Sequence, residues 1–160
     1  MADYSCAPSI IPPPVEPNDP AIQNDGWFPP VDMLKLRKSL RLADAVSPEQ
    51  LRNAALAAIV WIAVNLEQWK QAQLAAGYAA LADVPAPDLD GESRLLFLYR
   101  RAVSAAARAE LAERRRDVDL TGAGQRKVDE LDSSIGELRR DAIHAMRDIM
   151  GRTRTAVELI

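Results

Sequence analysis

The sequence is poor in the residues on which most catalytic and metal sites depend. Its 160 residues include one cysteine and one histidine, Cys6 and His144. A lone cysteine has no disulfide partner in the chain, and a single histidine cannot supply both a nucleophile's base and a set of metal ligands. We therefore predict a non-enzymatic protein without cofactor or metal, suited to a reducing cytoplasm.

Long hydrophobic runs and a signal peptide are also absent. Residues 54–64 form the most apolar run, which is about half of the ~20 residues that cross a bilayer. Residues 1–5 carry no base, and the apolar residues after them run into prolines. We expect a protein with no membrane partner that stays in the compartment where it is made.

Aromatic residues are scarce at 5%, and alanine supplies much of the 48% hydrophobic content. Small side chains favour closely packed helices over a sheet-rich interior. A chain of this length has room for one core. We predict an all-α bundle of about four helices, two or three of them long, divided into a Pro-rich N-terminal arm (1–31), a helical domain (32–151) and an extended, strand-like C-terminal tail (152–160).

Basic residues are missing from the first part of the chain. Residues 1–34 hold five acids and no base, whereas residues 91–160 hold fourteen bases and twelve acids. The acidic imbalance behind the net charge of -3 therefore belongs to the arm. A nearly neutral helical domain argues against a general nucleic-acid binder, which needs a marked basic surplus to replace phosphate counterions.

The arm is expected to be extended or disordered because six prolines lie in its first twenty residues. Trp27, Phe28 and Val31 follow as an apolar cluster just before the first helix. We predict that this cluster anchors a sister subunit or another partner.

Capping signals mark the helices. Ser47, Pro48 and Gln50 combine an N-cap, a proline at the first helical position and a capping-box glutamine. We predict helices from Asp32 to about Leu42, from Ser47 to about Ala76, from Gly91 to about Arg115 with Asp90 as cap, and from after Gly124 to about Met150. Apolar residues of the fourth helix, spaced three and four apart, form a bundle or coiled-coil seam: Val128, Leu131, Ile135, Leu138, Ala142, Ala145 and Ile149.

The residues after Gly151 alternate with a period of two and include several β-branched side chains, a pattern typical of a strand. No second strand candidate appears elsewhere, so we predict that the tail pairs with another molecule. It comprises Arg152, Thr153, Arg154, Thr155, Ala156, Val157, Glu158, Leu159 and Ile160.

Two short basic clusters are ambiguous. Arg114, Arg115 and Arg116 end the third helix, where cations complement its dipole, and Arg126 and Lys127 follow a glycine-containing break. Both are explained by local structure, or alternatively by contact with DNA or an anionic partner. One alternative function is that of a nucleic-acid-binding or regulatory dimer on the fourth-helix seam, in which Arg139, Arg140 and Arg147 would touch phosphate.

Five stretches, in order, resemble the head-completion protein of P2-like tailed bacteriophages, a family of head-to-tail connector subunits. They are FPPVD (28–32), LADAVSPEQLR (42–52), AGYAALADVPAPDLDGES (76–93), YRRAVSA (99–105) and KVDELDSSIGELRRD (127–141).

The resemblance implies a structural adaptor that is assembled in the host cytoplasm and resides in the virion neck. By analogy with other connectors, about twelve sister subunits would form a ring under the portal after DNA packaging. The tail would bind the portal protein, another face would dock a tail-terminator or neck protein, and packaged DNA would pass through without specific binding.

Overall fold

The computed structural model describes residues 19–40, 46–119 and 125–152. These ranges contain four α-helices: α1 (Met33–Leu40), α2 (Pro48–Ala75), α3 (Arg94–Asp119) and α4 (Gln125–Ile149). Between α2 and α3 lie a short 3-10 helix (Leu81–Asp83) and a two-stranded hairpin, β1 (Asp88–Leu89) and β2 (Glu92–Ser93). The prediction of a mostly helical fold with four helices is confirmed.

The predicted start signals of α1 and α2 are confirmed in atomic detail. The Oγ atom of Ser47 accepts a hydrogen bond from the Gln50 amide, and the Gln50 side chain accepts one from the Ser47 amide, both at 3.1 Å. Asp32 Oδ1 accepts from the Lys35 amide at 2.9 Å. Gly77, with φ of +96°, follows the end of α2 in the left-handed conformation that commonly terminates helices.

The start of α3 differs from the prediction. Asp90 and Gly91 do not cap this helix, which begins at Arg94. They have φ values of +51° and +77° and form the turn between β1 and β2. Two-residue hairpin turns with positive φ at both positions favour Asp-Gly sequences. The expectation that no strand occurs outside the tail was therefore wrong, although each strand is only two residues long.

Helix α3 is central and contacts both α2 and α4. Helix α4 returns along it, and Arg139 binds the Glu113 carboxylate through two hydrogen bonds of 2.8 and 2.7 Å. Alanines allow close packing in this region, with exposures of 0–1% for a set drawn from both helices. These alanines are Ala102, Ala107, Ala109, Ala142 and Ala145.

Four of the seven residues of the predicted α4 seam are buried inside the chain. Ile135, Ala142, Ala145 and Ile149 are each at most 5% exposed. The last three belong to the same core as the buried residues of α3. These four residues are covered within one chain, which counts against the rival hypothesis of a dimer through this seam.

Candidate interaction surfaces

The N-terminal segment folds back onto the helices. Ile22 and Val31 form an antiparallel bridge with two backbone hydrogen bonds of 2.9 Å. The residues between them bring Trp27 and Phe28 into contact, with ring centroids 4.8 Å apart and the rings nearly perpendicular. Phe28 also stacks on Tyr99 of α3, at 4.9 Å between centroids. The segment is thus held by aromatic contacts of the kind that stabilise protein cores.

These contacts correct one prediction. Trp27, Phe28 and Val31 were assigned to a subunit or partner contact, yet they are only 4%, 3% and 6% exposed in the folded chain. Most of their surface already lies against this chain's own core. They anchor the N-terminal segment to α2 and α3, and little of them is left for another protein.

Asp25 fixes the turn that carries this aromatic pair. Its Oδ1 accepts hydrogen bonds from the amides of Trp27 and Phe28, both at 3.0 Å, and its Oδ2 lies 2.6 Å from Lys70 Nζ. Partial burial alone would raise the pKa of Asp25, but the Lys70 hydrogen bond and the two amides outweigh it and hold the pKa below 3.8.

A lowered pKa makes the contribution of Asp25 to stability depend on pH. The contribution is present above the unfolded-state pKa and is lost as the pH falls through the lower folded-state value. Replacing Asp25 with Asn should lower the free energy of unfolding at pH 7 by at most about 1 kcal/mol, because the pair with Lys70 is partly exposed. The difference from wild type should close below about pH 4.

Urea unfolding of both proteins from pH 3 to pH 7 measures this effect. Asp88→Asn, at an exposed hairpin position, is the matched control and should track wild type throughout. A gap between Asp25→Asn and wild type that stays constant with pH would mean that the charge of Asp25 contributes nothing.

Tyr99 completes the aromatic contact from the side of α3. Its hydroxyl oxygen accepts a hydrogen bond from Asn24 Nδ2 at 2.7 Å. Burial raises the pKa of Tyr99 to about 12, against the smaller opposing effect of the Asn24 hydrogen bond. The hydroxyl therefore stays protonated at neutral pH and joins the N-terminal segment to the core.

The predicted basic contacts are mostly beyond what the structure describes. Arg114 is exposed, and its guanidinium binds Glu110 one helical turn away at 3.0 and 3.1 Å. The side chains of Arg115, Arg116, Arg126 and Lys127 lie outside the described part. Their role in contacts with DNA or a partner stays a prediction.

Of the predicted tail, the described residues include only Arg152, and 153–160 lie outside. Arg152 is exposed at a shallow cleft beside the start of α3, lined by Arg94 and Leu98 together with Asp148 and Gly151. The chain therefore leaves α4 at the end of the molecule where α3 begins.

An exposed apolar stripe on α2 was not recognised from the sequence. Leu56, Val60 and Val64 are 41%, 64% and 72% exposed. Their spacing of four residues places them on one side of the helix. The signal was present in the run 54–64, which is apolar on every side of a helix rather than on one.

A basic stripe on α3 was also missed. Arg94, Arg101 and Arg108 are all exposed and lie seven residues apart, so they project from the same side of the helix. Phe97, 46% exposed, lies between the first two. The seven-residue spacing was visible in the sequence but was hidden among the other arginines of this helix.

His144 is half-buried on α4. Within the described ranges, no group of three His, Cys, Asp or Glu residues is arranged to hold a metal ion. The helices within those ranges also include none that is long and apolar enough to span a membrane.

Exposed apolar and basic stripes on packed helices are typical of a structural protein that acts through contacts with other macromolecules. Comparison with known proteins identifies the family of structural proteins. The chain belongs to the phage head completion protein (GPL) family, whose model matches residues 22–160. It is a non-enzymatic structural component of the phage head that interacts with other phage proteins.

Two relatives match over nearly the whole chain. The head completion/stabilization protein of Escherichia phage P2 is 41% identical over 151 residues, which are 94% of this chain and 89% of that protein. The probable head completion/stabilization protein of Haemophilus phage HP1 (strain HP1c1) is 23% identical over 146 residues, 89% of this chain and 94% of that protein. No solved structure matches the chain.

Proposed function

We propose that this protein is an adaptor in the virion neck, between the portal and the proteins on the tail side. Sister subunits, about twelve as in other connectors, form a ring below the portal after DNA packaging. The helices surround a conduit through which DNA passes without specific binding. A tail-terminator or neck protein docks on the outer end of the ring.

The observation that carries the proposal is the change of pattern at the end of α4. Gly151 has φ of +68°, and the amides of Gly151 and Arg152 donate to the carbonyl oxygens of Asp148 and Arg147 at 3.2 and 2.9 Å. These bonds form a Schellman motif, which terminates a helix firmly. The strand-like sequence begins directly after it, and the sheet within the described ranges is a hairpin of two residues per strand, too short to pair with a nine-residue segment.

An extended segment of nine residues reaches on the order of 30 Å. It can therefore add as a strand to a sheet edge of a neighbouring protein, where backbone hydrogen bonds supply affinity and alternate side chains supply specificity. We infer that the portal provides this edge.

Deletion of Arg152 to Ile160 tests the proposal. The truncated protein should keep its helical circular-dichroism spectrum and its unfolding midpoint, because buried residues of α2, α3 and α4 form a core with one another. It should no longer co-purify with the portal. Undiminished portal binding by the truncated protein would contradict the proposal.

A matched pair of full-length variants refines the test. In a strand, Val157 and Ala156 point to opposite faces, so an aspartate introduced at each position reports on one face. We expect Val157→Asp to weaken portal binding at least tenfold and Ala156→Asp to weaken it less. Equal effects would argue against strand addition while leaving a portal contact in place.

A further inference from the structure

The apolar stripe of α2 (Leu56, Val60 and Val64) lies opposite the buried side of that helix. The buried side includes Leu51, Ala58 and Ile62, at 0%, 3% and 0% exposure. A helix that is apolar on both sides is normally covered on both sides. The described part of the chain covers only one of them and leaves the outer stripe exposed.

The charges around this stripe are acidic. Glu49 lies seven residues before Leu56 and Glu67 seven residues after Val60, so both acids flank the stripe on the same side of α2. Both are exposed. The two bases of α2 are engaged elsewhere: Arg52 lies 3.6 Å from Asp19, and Lys70 pairs with the N-terminal segment as described above.

The basic stripe of α3 (Arg94, Arg101 and Arg108, with Phe97 between the first two) has the opposite character. No acidic residue occurs in α3 between Arg94 and Arg108. None of the three guanidinium groups forms an ion pair within the described residues. Fourteen residues of helix extend about 21 Å, so the stripe presents three cations without an ion pair to the described residues, and one aromatic ring, along that length.

The two stripes lie on exposed sides of different helices. The buried sides of α2 and α3 meet in the core, and each stripe lies on the exposed side of its helix. One copy of the chain therefore carries an acid-flanked apolar surface on one helix and a basic surface with an exposed ring on another. Different, complementary surfaces on one subunit are what a head-to-tail contact in a ring requires.

We propose that the α2 stripe of one copy packs against the α3 stripe of the next copy. Phe97 inserts among Leu56, Val60 and Val64, and the arginines approach Glu49 and Glu67. The inference rests on the ring in the proposed function and names its contact surfaces. Binding of DNA phosphate by the α3 stripe is disfavoured because it would leave the α2 stripe exposed and its acids facing no cation.

Disulfide crosslinking in completed heads tests this contact. In a Cys6→Ser background, which removes the native thiol, we would combine Val60→Cys or Val64→Cys on α2 with Phe97→Cys, Arg101→Cys or Ser104→Cys on α3. A mild copper-based oxidant would then be applied and the heads run on a non-reducing gel. At least one combination should give a ladder of covalent multimers, whereas every single-cysteine variant should remain monomeric.

Two crosslinking results would overturn the inference. One is the absence of multimers from every combination in heads that contain several copies of the protein and are stable. The other is dimer formation by Val60→Cys or Val64→Cys alone, which would mean that two α2 stripes face each other. The copy number per head, measured by quantitative mass spectrometry, distinguishes a wrong α2–α3 contact from a wrong ring. A single copy per head would refute the ring itself.

A salt titration with free duplex DNA tests the alternative ligand. Wild type and the Arg101→Glu, Arg108→Glu double variant should bind equally weakly, and Lys35→Glu, at an exposed base of α1 that lies 4.0 Å from Asp32, is the control. Tight, steeply salt-dependent binding that the double variant loses would identify the α3 stripe as a phosphate-binding face and refute its assignment to the neighbouring subunit.

Discussion

Replacing Trp27 with alanine is expected to lower the free energy of unfolding by about 3–5 kcal/mol, the range for removing a large buried aromatic side chain. Trp27 is 4% exposed and lies edge-on to Phe28 and to Trp69, the latter at 5.7 Å between ring centroids. Its Nε1 donates to the carbonyl oxygen of Tyr78 at 3.2 Å. One side chain therefore joins the N-terminal segment to α2 and to the loop after it.

Trp27 makes two further contacts, one through its backbone, which alanine would keep, and one through its ring. Its carbonyl oxygen accepts a hydrogen bond from the Leu81 amide at 2.9 Å, at the start of the short 3-10 helix. Lys70 Nζ lies 6.0 Å from the Trp27 ring centroid, within the range of a cation–π contact. Loss of the indole should loosen the whole segment from residue 19 to α1, because the ring contacts described above are all made by this one side chain.

Urea unfolding followed by far-ultraviolet circular dichroism measures the loss. Trp27→Phe keeps an aromatic ring but removes the Nε1 hydrogen bond, so it should fall between wild type and Trp27→Ala. Trp61→Ala is the matched control, since Trp61 is only half-buried on α2 and should cost less. A Trp27→Ala protein within about 1 kcal/mol of wild type would mean that the segment contributes little to the folded state.

The helix starts were predictable because local chemistry determines them. The capping box at Ser47 and the Asp32 cap depend on atoms within three residues of each other. The helix ends at Gly77 and Gly151 have a similarly local cause, since positive φ favours glycine after a helix. Such signals need no knowledge of what lies across the core.

Other features depend on contacts between distant parts of the chain. Asp90 and Gly91 fit a helix cap and a hairpin turn equally well by residue type, and pairing of Asp88 with Ser93 decided between them. The position of Phe28 against Tyr99, 71 residues later in the chain, could not be read from either local sequence. An apolar cluster beside a Pro-rich arm has the same composition whether it is covered by its own chain or by a partner.

Replacing Ala142 with leucine is expected to lower the free energy of unfolding by about 1–3 kcal/mol, the cost of forcing extra volume into a packed core. Ala142 is 0% exposed, and its helix α4 packs along α3, which contributes the equally buried Ala102 and Ala107. A leucine side chain fits only if the two helices separate. Urea unfolding of the variant beside wild type measures the loss.

Gly136→Ala on the same helix is the matched control, and it should change stability in the opposite direction. A Cβ atom at Gly136 meets no other atom within 4 Å, and the position is exposed. Alanine should therefore stabilise the helix by about 0.5–1 kcal/mol, through reduced backbone freedom in the unfolded chain. Losses of similar size at both positions would show that any added side chain disturbs α4, whether or not it faces α3.

The same two variants connect core packing to the proposed portal contact. Helix α4 leads through Gly151 into the tail, and its end lies beside Arg94 and Leu98 of α3. The larger side chain in Ala142→Leu separates α3 from α4 and so moves the point from which the tail leaves the molecule. This variant should therefore weaken portal binding even under conditions where it is fully folded, while Gly136→Ala binds like wild type. Portal binding by folded Ala142→Leu at wild-type strength would mean that the tail acts independently of the helices that carry it.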